Sequence, residues 1–253
     1  MKKQLLIGTS LLIAMAMPLQ LSAQQQSEQS EPRPRLQRAE TLTTKGFIDK
    51  NTTFNPDLLD SLVKTDDFVM LMSSFEGCIP CEILRTSDIF ERFPISPYYS
   101  NYLLNDVNQS IAYTFPFSGF PTNVIFDRSG EIIAVTVGAS GNQYEKLERI
   151  IAGERFSDIQ ITGVSEDLIL PFLNLLYKAN AAFLREDMEN VYKYATEAMA
   201  IHPTFYSRYL LYKYHLSKND TATAEHHKKL ALTNLNGREE QVFRKLISEL
   251  RGG

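Results

Sequence analysis

Ser73-Ser74-Phe75-Glu76-Gly77-Cys78-Ile79-Pro80-Cys81-Glu82-Ile83-Leu84 holds both cysteines of this 253-residue chain. It follows an apolar run, Phe68-Val69-Met70-Leu71-Met72, and precedes a helical pattern. A run of strand length that is apolar on both faces belongs inside a sheet covered by helices. The cysteines, two residues apart, therefore sit where a strand hands over to a helix. Three roles are open to such a pair: structural staple, metal site or redox centre. A bridge between Cys78 and Cys81 closes too small a loop to restrain much of the unfolded chain. Zinc needs further ligands, and the four histidines, His202, His215, His226 and His227, lie far downstream. A redox role suits the position, because a helix N-terminus stabilises the thiolate that does the chemistry.

Working outward, Thr44 to Ile48 reads as a short strand, and Pro56 to Val63 as a helix with Asn55 as cap and Pro56 in its first turn. Downstream of the pair, Ile83, Leu84, Ile89, Phe90 and Phe93 carry a helix to the breaker Pro94. Tyr98 to Leu104 is a second strand and Val107 to Tyr113 a short helix. Phe117 to Gly138 then holds two β-branched runs joined by Asp127-Arg128-Ser129-Gly130, the turn chemistry of an antiparallel hairpin. Gln143 to Ala152 is amphipathic, with Tyr144, Leu147, Ile150 and Ile151 spaced for one helix face.

This order, strands alternating with helices, then a hairpin, then α, resembles the thioredoxin fold, an α/β architecture with a central mixed sheet and flanking helices. The resemblance covers roughly residues 41–153. It rests on Cys78-Ile79-Pro80-Cys81 at a strand end and on Gly119-Phe120-Pro121-Thr122 opening the hairpin. In thioredoxin-like proteins the proline of the second motif is cis and stands beside the cysteine pair, and the resemblance implies this for Pro121. It implies thiol–disulfide exchange, in which one thiolate attacks and a second thiol resolves the mixed disulfide. Cys78, at the helix start, is expected to attack, and Cys81, one turn in, to resolve. Phe120, Pro121 and Thr122 are expected to line the substrate side, with the Phe120 backbone pairing with an extended segment as an added strand. No cofactor is implied beyond the redox-active Cys78–Cys81 disulfide, and no metal.

Two positions depart from the family's best-known members. Gly77 stands where an aromatic commonly precedes the first cysteine, and Met72 where thioredoxin's buried carboxylate falls. Ile79-Pro80 between the cysteines resembles thioredoxins and the exported reductases of cytochrome maturation more than strongly oxidising enzymes, which carry His before the second Cys. That favours a reductase or isomerase, with the redox direction left open.

Beyond a linker or docking strand at 154–164, residues 165–253 have a helical pattern throughout, opened by Ser165-Glu166-Asp167. Leu175 to Pro203 resembles a tetratricopeptide repeat (TPR), with Ala179, Phe183, Asp187, Val191, Tyr194, Ala198 and Pro203 near that repeat's characteristic positions. A weaker copy runs from Tyr206 through Tyr209, Leu216, Asp220, Ala224 and Ala231. Two repeats are short of a self-sufficient solenoid. This small all-helical unit is therefore expected to pack on the α/β domain or on its own closing helix, Glu239 to Leu250.

At the N-terminus, Met1-Lys2-Lys3, an apolar run from Leu5 to Met17, Pro18 and Leu21-Ser22-Ala23 make the three-part pattern of a secretory signal over residues 1–23. The run is shorter than the ~20 residues that span a bilayer. Residues 24–40, rich in Gln and Pro, offer little to bury and read as a disordered leader. The formal charge is -4 for the whole chain; loss of Lys2 and Lys3 makes the mature chain still more acidic. Nucleic acid, which demands clustered Lys and Arg, is excluded as a partner. The expected partners are exported proteins carrying disulfides or thiols, and a membrane or thioredoxin-type electron donor. The helical unit offers a further protein-binding surface. Two functions follow: an extracytoplasmic, periplasmic thiol–disulfide oxidoreductase, or a peptide-binding assembly module whose cysteine pair is a redox-responsive latch. Copper delivery is disfavoured, since it wants longer Cys spacing and a His or Met close by.

Overall fold

A computed structural model describes residues 56–74, 77–101, 113–114, 119–139, 142–233, 235 and 237–252. The sequence-predicted strand at Thr44–Ile48, the helix at Val107–Tyr113 save its last residue, the signal and the leader lie outside them. Among the described residues five strands form one mixed sheet: β1 (Phe68–Ser74), β2 (Ile95–Asn101), β3 (Thr122–Asp127), β4 (Ile132–Val137) and the two-residue β5 (Phe156–Ser157). Their order is β2-β1-β3-β4-β5. β1 runs parallel to β2 and antiparallel to β3, β3 is antiparallel to β4, and β4 is parallel to β5.

The hairpin forms as its residues dictate. Asp127 Oδ1 accepts from Ser129 N (2.8 Å) and Glu131 N (3.2 Å), holding the turn shut while Gly130 supplies a left-handed φ of 77°. β3 and β4 are buried on both faces at nearly every position, as their β-branched composition requires. The segment at 154–164 includes a docking strand: β5 adds to β4, and Ile159 just beyond it is buried.

One face of the sheet carries α2 (Ile79–Arg85), α3 (Ile89–Arg92) and α4 (Gln143–Ile151). Met70, Met72, Ile125 and Ala134 form the floor under Cys81, Leu84, Ile89, Leu147 and Ile150. Of the face expected for α4, Leu147 and Ile150 are buried, whereas Ile151 turns outward. The opposite face carries α1 (Pro56–Leu62) and α5 (Glu166–Leu184), whose Ile169, Phe172, Leu173, Leu176 and Tyr177 pack on Val69, Leu71, Val124, Phe126 and Val135. Hence the first helix of the C-terminal half is a layer of the α/β core. Arg185 at its end reaches Asp57 (2.9 Å) and Asp60 (2.7 Å) of α1.

α6 (Met188–Ile201), α7 (Phe205–Ser217), α8 (Thr221–Leu232), α9 (Gly237–Val242) and α10 (Arg244–Leu250) complete the chain. Two helical hairpins, α5/α6 and α7/α8, are built alike. Glu186 and Asn219 take left-handed φ values of 58° and 59°, and Asp187 and Asp220 then cap the next helix through the backbone N–H of Asn190 and Thr223. Val191 and Ala224, and Ala198 and Ala231, are buried at matching places. The helices pack both on the sheet and on the closing helices: Phe243 stacks on Phe205 at 4.6 Å, and Tyr113 from the chain between β2 and β3 joins Tyr206 and Phe243.

Two sequence-predicted helices are each split. The one running from the cysteine pair to Pro94 breaks between α2 and α3. There Thr86 Oγ1 donates to Glu82 O (2.9 Å) and Ser87 Oγ to Leu84 O (2.7 Å), so side chains take up the last carbonyls and end the helix locally. The closing helix is interrupted at Phe243, whose buried ring serves the aromatic stack. The strand expected from Tyr98 starts earlier, at Ile95, and admits Pro97 opposite Met70.

Candidate functional site

Cys78 and Cys81 form a disulfide, with Cα atoms 5.3 Å apart. Cys78 is the N-cap of α2, extended at φ -70° and ψ 93°, and Pro80 falls in the first turn where its missing N–H goes unmissed. The Cys81 backbone N–H donates to Cys78 Sγ at 3.2 Å. A donor at that distance favours negative charge on this sulfur once the bond is opened. Cys78 is 6% exposed and Cys81 3%, so in the disulfide form the cysteine expected to attack is nearly as covered as its partner. Gly77, which replaces the expected aromatic, has φ 85°. L side chains are strained in that region, so the backbone entering the site selects glycine.

The second motif stands at the same end of the sheet. Ser73 near the end of β1 pairs with Thr122 at the start of β3, immediately after Pro121. The Phe120–Pro121 peptide bond is cis. Pro121 O accepts from Gly138 N at 2.8 Å, and Thr122 Oγ1 donates to Gly119 O at 2.6 Å, pinning the loop from both sides. Gln143, buried at the head of α4, donates Nε2 to Gly138 O at 2.9 Å and supports the same corner. Phe120 packs against the apolar cluster that contains both cysteines. Thus Cys78, Cys81 and Phe120 share one packed cluster, and Pro121 and Thr122 are buried, Thr122 opposite Ser73 in the β1–β3 register.

Sequence reading missed two features of the site. Ile79 and Ile83, one helical turn apart on α2, are 70% and 57% exposed and give the outer side of the helix that carries the disulfide an apolar stripe. Their i, i+4 spacing was the available signal. The other is Asn123, fully buried beside Met72 in the β1–β3 register. A lone Asn in a β-branched run carries no sequence signal for such a position. Met72 is itself fully buried under the pair, at the place expected for a carboxylate. Among the described residues no group of three or more His, Cys, Asp or Glu is placed to hold a metal.

The sheet order, the cysteine pair at the β1–α2 junction and the cis-proline corner define a thioredoxin-like fold with a helical C-terminal region. No family model matches the chain, and no curated protein matches it. Solved structures with which it shares weak likeness include a mutant thioredoxin from Halobacterium salinarum, at 20% identity over 41% of this chain and 87% of that one, with a TM-score of 0.32. Thioredoxin f2 of Chlamydomonas reinhardtii is 15% identical over 43% of this chain and 96% of its own, at a TM-score of 0.33. Oxidised mitochondrial thioredoxin 3 of Saccharomyces cerevisiae is 19% identical over 42% and 95%, also at 0.33.

Proposed function

We propose that the protein is an exported thiol–disulfide oxidoreductase that reduces or isomerises disulfides of extracytoplasmic proteins. The observation that supports it most is the Cys78–Cys81 disulfide at the mouth of α2, in one packed cluster with the residue that precedes the cis-proline. In the reduced form Cys78 Sγ, held by the Cys81 N–H, attacks one sulfur of a substrate disulfide and expels the other as thiolate. Cys81 then gives up its proton and attacks Cys78 Sγ, releasing the substrate as dithiol and leaving the Cys78–Cys81 disulfide. A dithiol donor returns the two electrons. The Phe120 backbone, beside Pro121, is the proposed strand-like contact for substrate, and Ile79 and Ile83 its apolar contact.

Export rests on the signal-type pattern of residues 1–23, and a periplasmic setting is proposed with it. The helical half, with its two matching hairpins, is proposed as a TPR-like surface that biases the choice of protein partner. Among the described residues no helix is long and apolar enough to cross a membrane.

The test uses the mature chain in insulin reduction with dithiothreitol, and Cys81→Ser to trap mixed disulfides through Cys78. Activity lost in Cys78→Ser and trapped protein partners in Cys81→Ser are expected. No insulin reduction, no trapped species and an unaltered phenotype in the Cys78→Ala, Cys81→Ala double variant would overturn the reading in favour of a binding module.

A further inference from the structure

Asn123 is buried on the sheet face that carries the disulfide, with Met72 beside it on β1 and Thr136 beside it on β4. Its Nδ2 donates to Thr136 Oγ1 at 3.1 Å. Its Oδ1 is buried and has no hydrogen-bond partner among the described residues. A buried carbonyl left without a donor is costly, and native proteins keep few of them. Thr136 on β4 takes the amide end, which leaves the carbonyl end to the β1 side of the layer. Met72 offers that oxygen a thioether and no donor. Asn123 lies one register position from the Ser73–Thr122 pair, near the strand end from which the chain enters α2. Reduction makes both cysteines possible donors, and Cys81, one turn into α2 and buried in the same apolar cluster as Met72, is the inner of the two. In the disulfide it has no S–H; as a dithiol it has one.

We propose that Asn123 is a positioning residue for the resolving thiol: when the disulfide is reduced, Asn123 Oδ1 accepts the Cys81 Sγ–H. The inference rests on the reading that the pair cycles between disulfide and dithiol. In that cycle a dithiol donor supplies two electrons and is itself oxidised to a disulfide. Cys81 takes up one proton, and Cys78 ends as thiolate or thiol according to pH. The orphaned carbonyl is satisfied only in the reduced state, so Asn123 favours the dithiol and makes the pair more oxidising. The same bond holds the proton on Cys81, because a hydrogen bond donated by the neutral form disfavours the thiolate. Release of the mixed disulfide therefore waits for that bond to open.

The experiment equilibrates the full mature chain and Asn123→Leu, which removes the acceptor at similar volume, in glutathione buffers. We expect the redox equilibrium of the variant to shift about threefold to tenfold toward the disulfide, ~15–30 mV at ~30 mV per tenfold. A second measurement leaves Asn123 in place: in Cys78→Ser the infrared S–H band of the single thiol Cys81 should be broadened and displaced to lower wavenumber than that of a free thiol. An unchanged equilibrium, a shift toward the dithiol, or an S–H band at the free-thiol position overturns the proposal. A pair that exchanges with glutathione while Asn123→Leu leaves its equilibrium in place defeats the inference alone. A pair that neither glutathione nor dithiothreitol reduces defeats the redox reading with it.

Discussion

The carboxamide of Asn174 on α5 binds both backbone polar groups of Ile132 at the start of β4: Oδ1 accepts the Ile132 N–H at 2.8 Å, and Nδ2 donates to Ile132 O at 2.9 Å. A side chain thus stands in for a neighbouring strand at the point where β5 does not reach. This joins the C-terminal helices to the sheet that carries the redox pair. Asn174→Ala leaves the buried Ile132 N–H and C=O unpaired and is expected to cost about 2–4 kcal/mol. Urea unfolding checks it, and a loss under ~1 kcal/mol, on the order of an ordinary surface change, would count against it.

The left-handed backbone of Gly77 makes a second expectation. A Cβ there meets nothing within 4 Å, so the penalty of Gly77→Ala is conformational and not steric. Its size is about 1–2 kcal/mol. Gly77→Trp is expected to be destabilised as well. Thermal melts of the two variants compare them directly, and a more stable Gly77→Ala would contradict the backbone argument.

Ile79 and Ile83 concern substrate. Their exposure beside the disulfide leaves apolar area for a protein substrate to cover, at about 25 cal/mol per Å². Replacing both by Ser is expected to lower kcat/KM for a protein disulfide by roughly tenfold, equivalent to ~1.4 kcal/mol. The loss on a small aromatic disulfide should be smaller. Equal losses on both substrates would assign these residues to the chemistry and not to docking.

His227 sets a pH dependence in the helical half. Partial burial, with His215, His226 and Arg208 nearby, holds its pKa below the ordinary histidine value. His215, stacked on it at 5.4 Å, contacts Asp220 through Nδ1 at 3.1 Å. The folded chain therefore binds fewer protons than the unfolded one just below the unfolded value of ~6.5. Stability is complete above that pH and declines as pH falls through it, until the folded-state pKa is passed. His227→Phe keeps the stack and removes the titration. Its urea midpoint should vary less between about pH 7.5 and pH 5 than that of the natural chain.

How much of this was legible beforehand depends on range. The Cys78–Cys81 pair, the Phe120-Pro121-Thr122 corner and the hairpin turn at Asp127 to Gly130 are local signals, each complete within a few residues. The strand at Phe68, as a continuous apolar run, and the amphipathic stretch from Gln143, by its periodicity, are visible in the chain itself. Helix continuity was less legible. Thr86 and Ser87 end α2 by bonding their own backbone, an outcome a helix pattern shares with ordinary exposed Thr and Ser.

By itself the sequence determined the element types over most of the described residues, the place of the cysteine pair and the α/β order, because those follow from residue spacing and turn chemistry. Only the tertiary structure decided that α5 covers the sheet face opposite the cysteines. It alone placed Asn174 on Ile132 and set Asn123 between Met72 and Thr136 in the layer beneath the disulfide. Each of these depends on strand register and on which face meets which, and such contacts join residues far apart in the chain. Periodicity reports which face of a segment is apolar; the segment that covers it is chosen by the whole core.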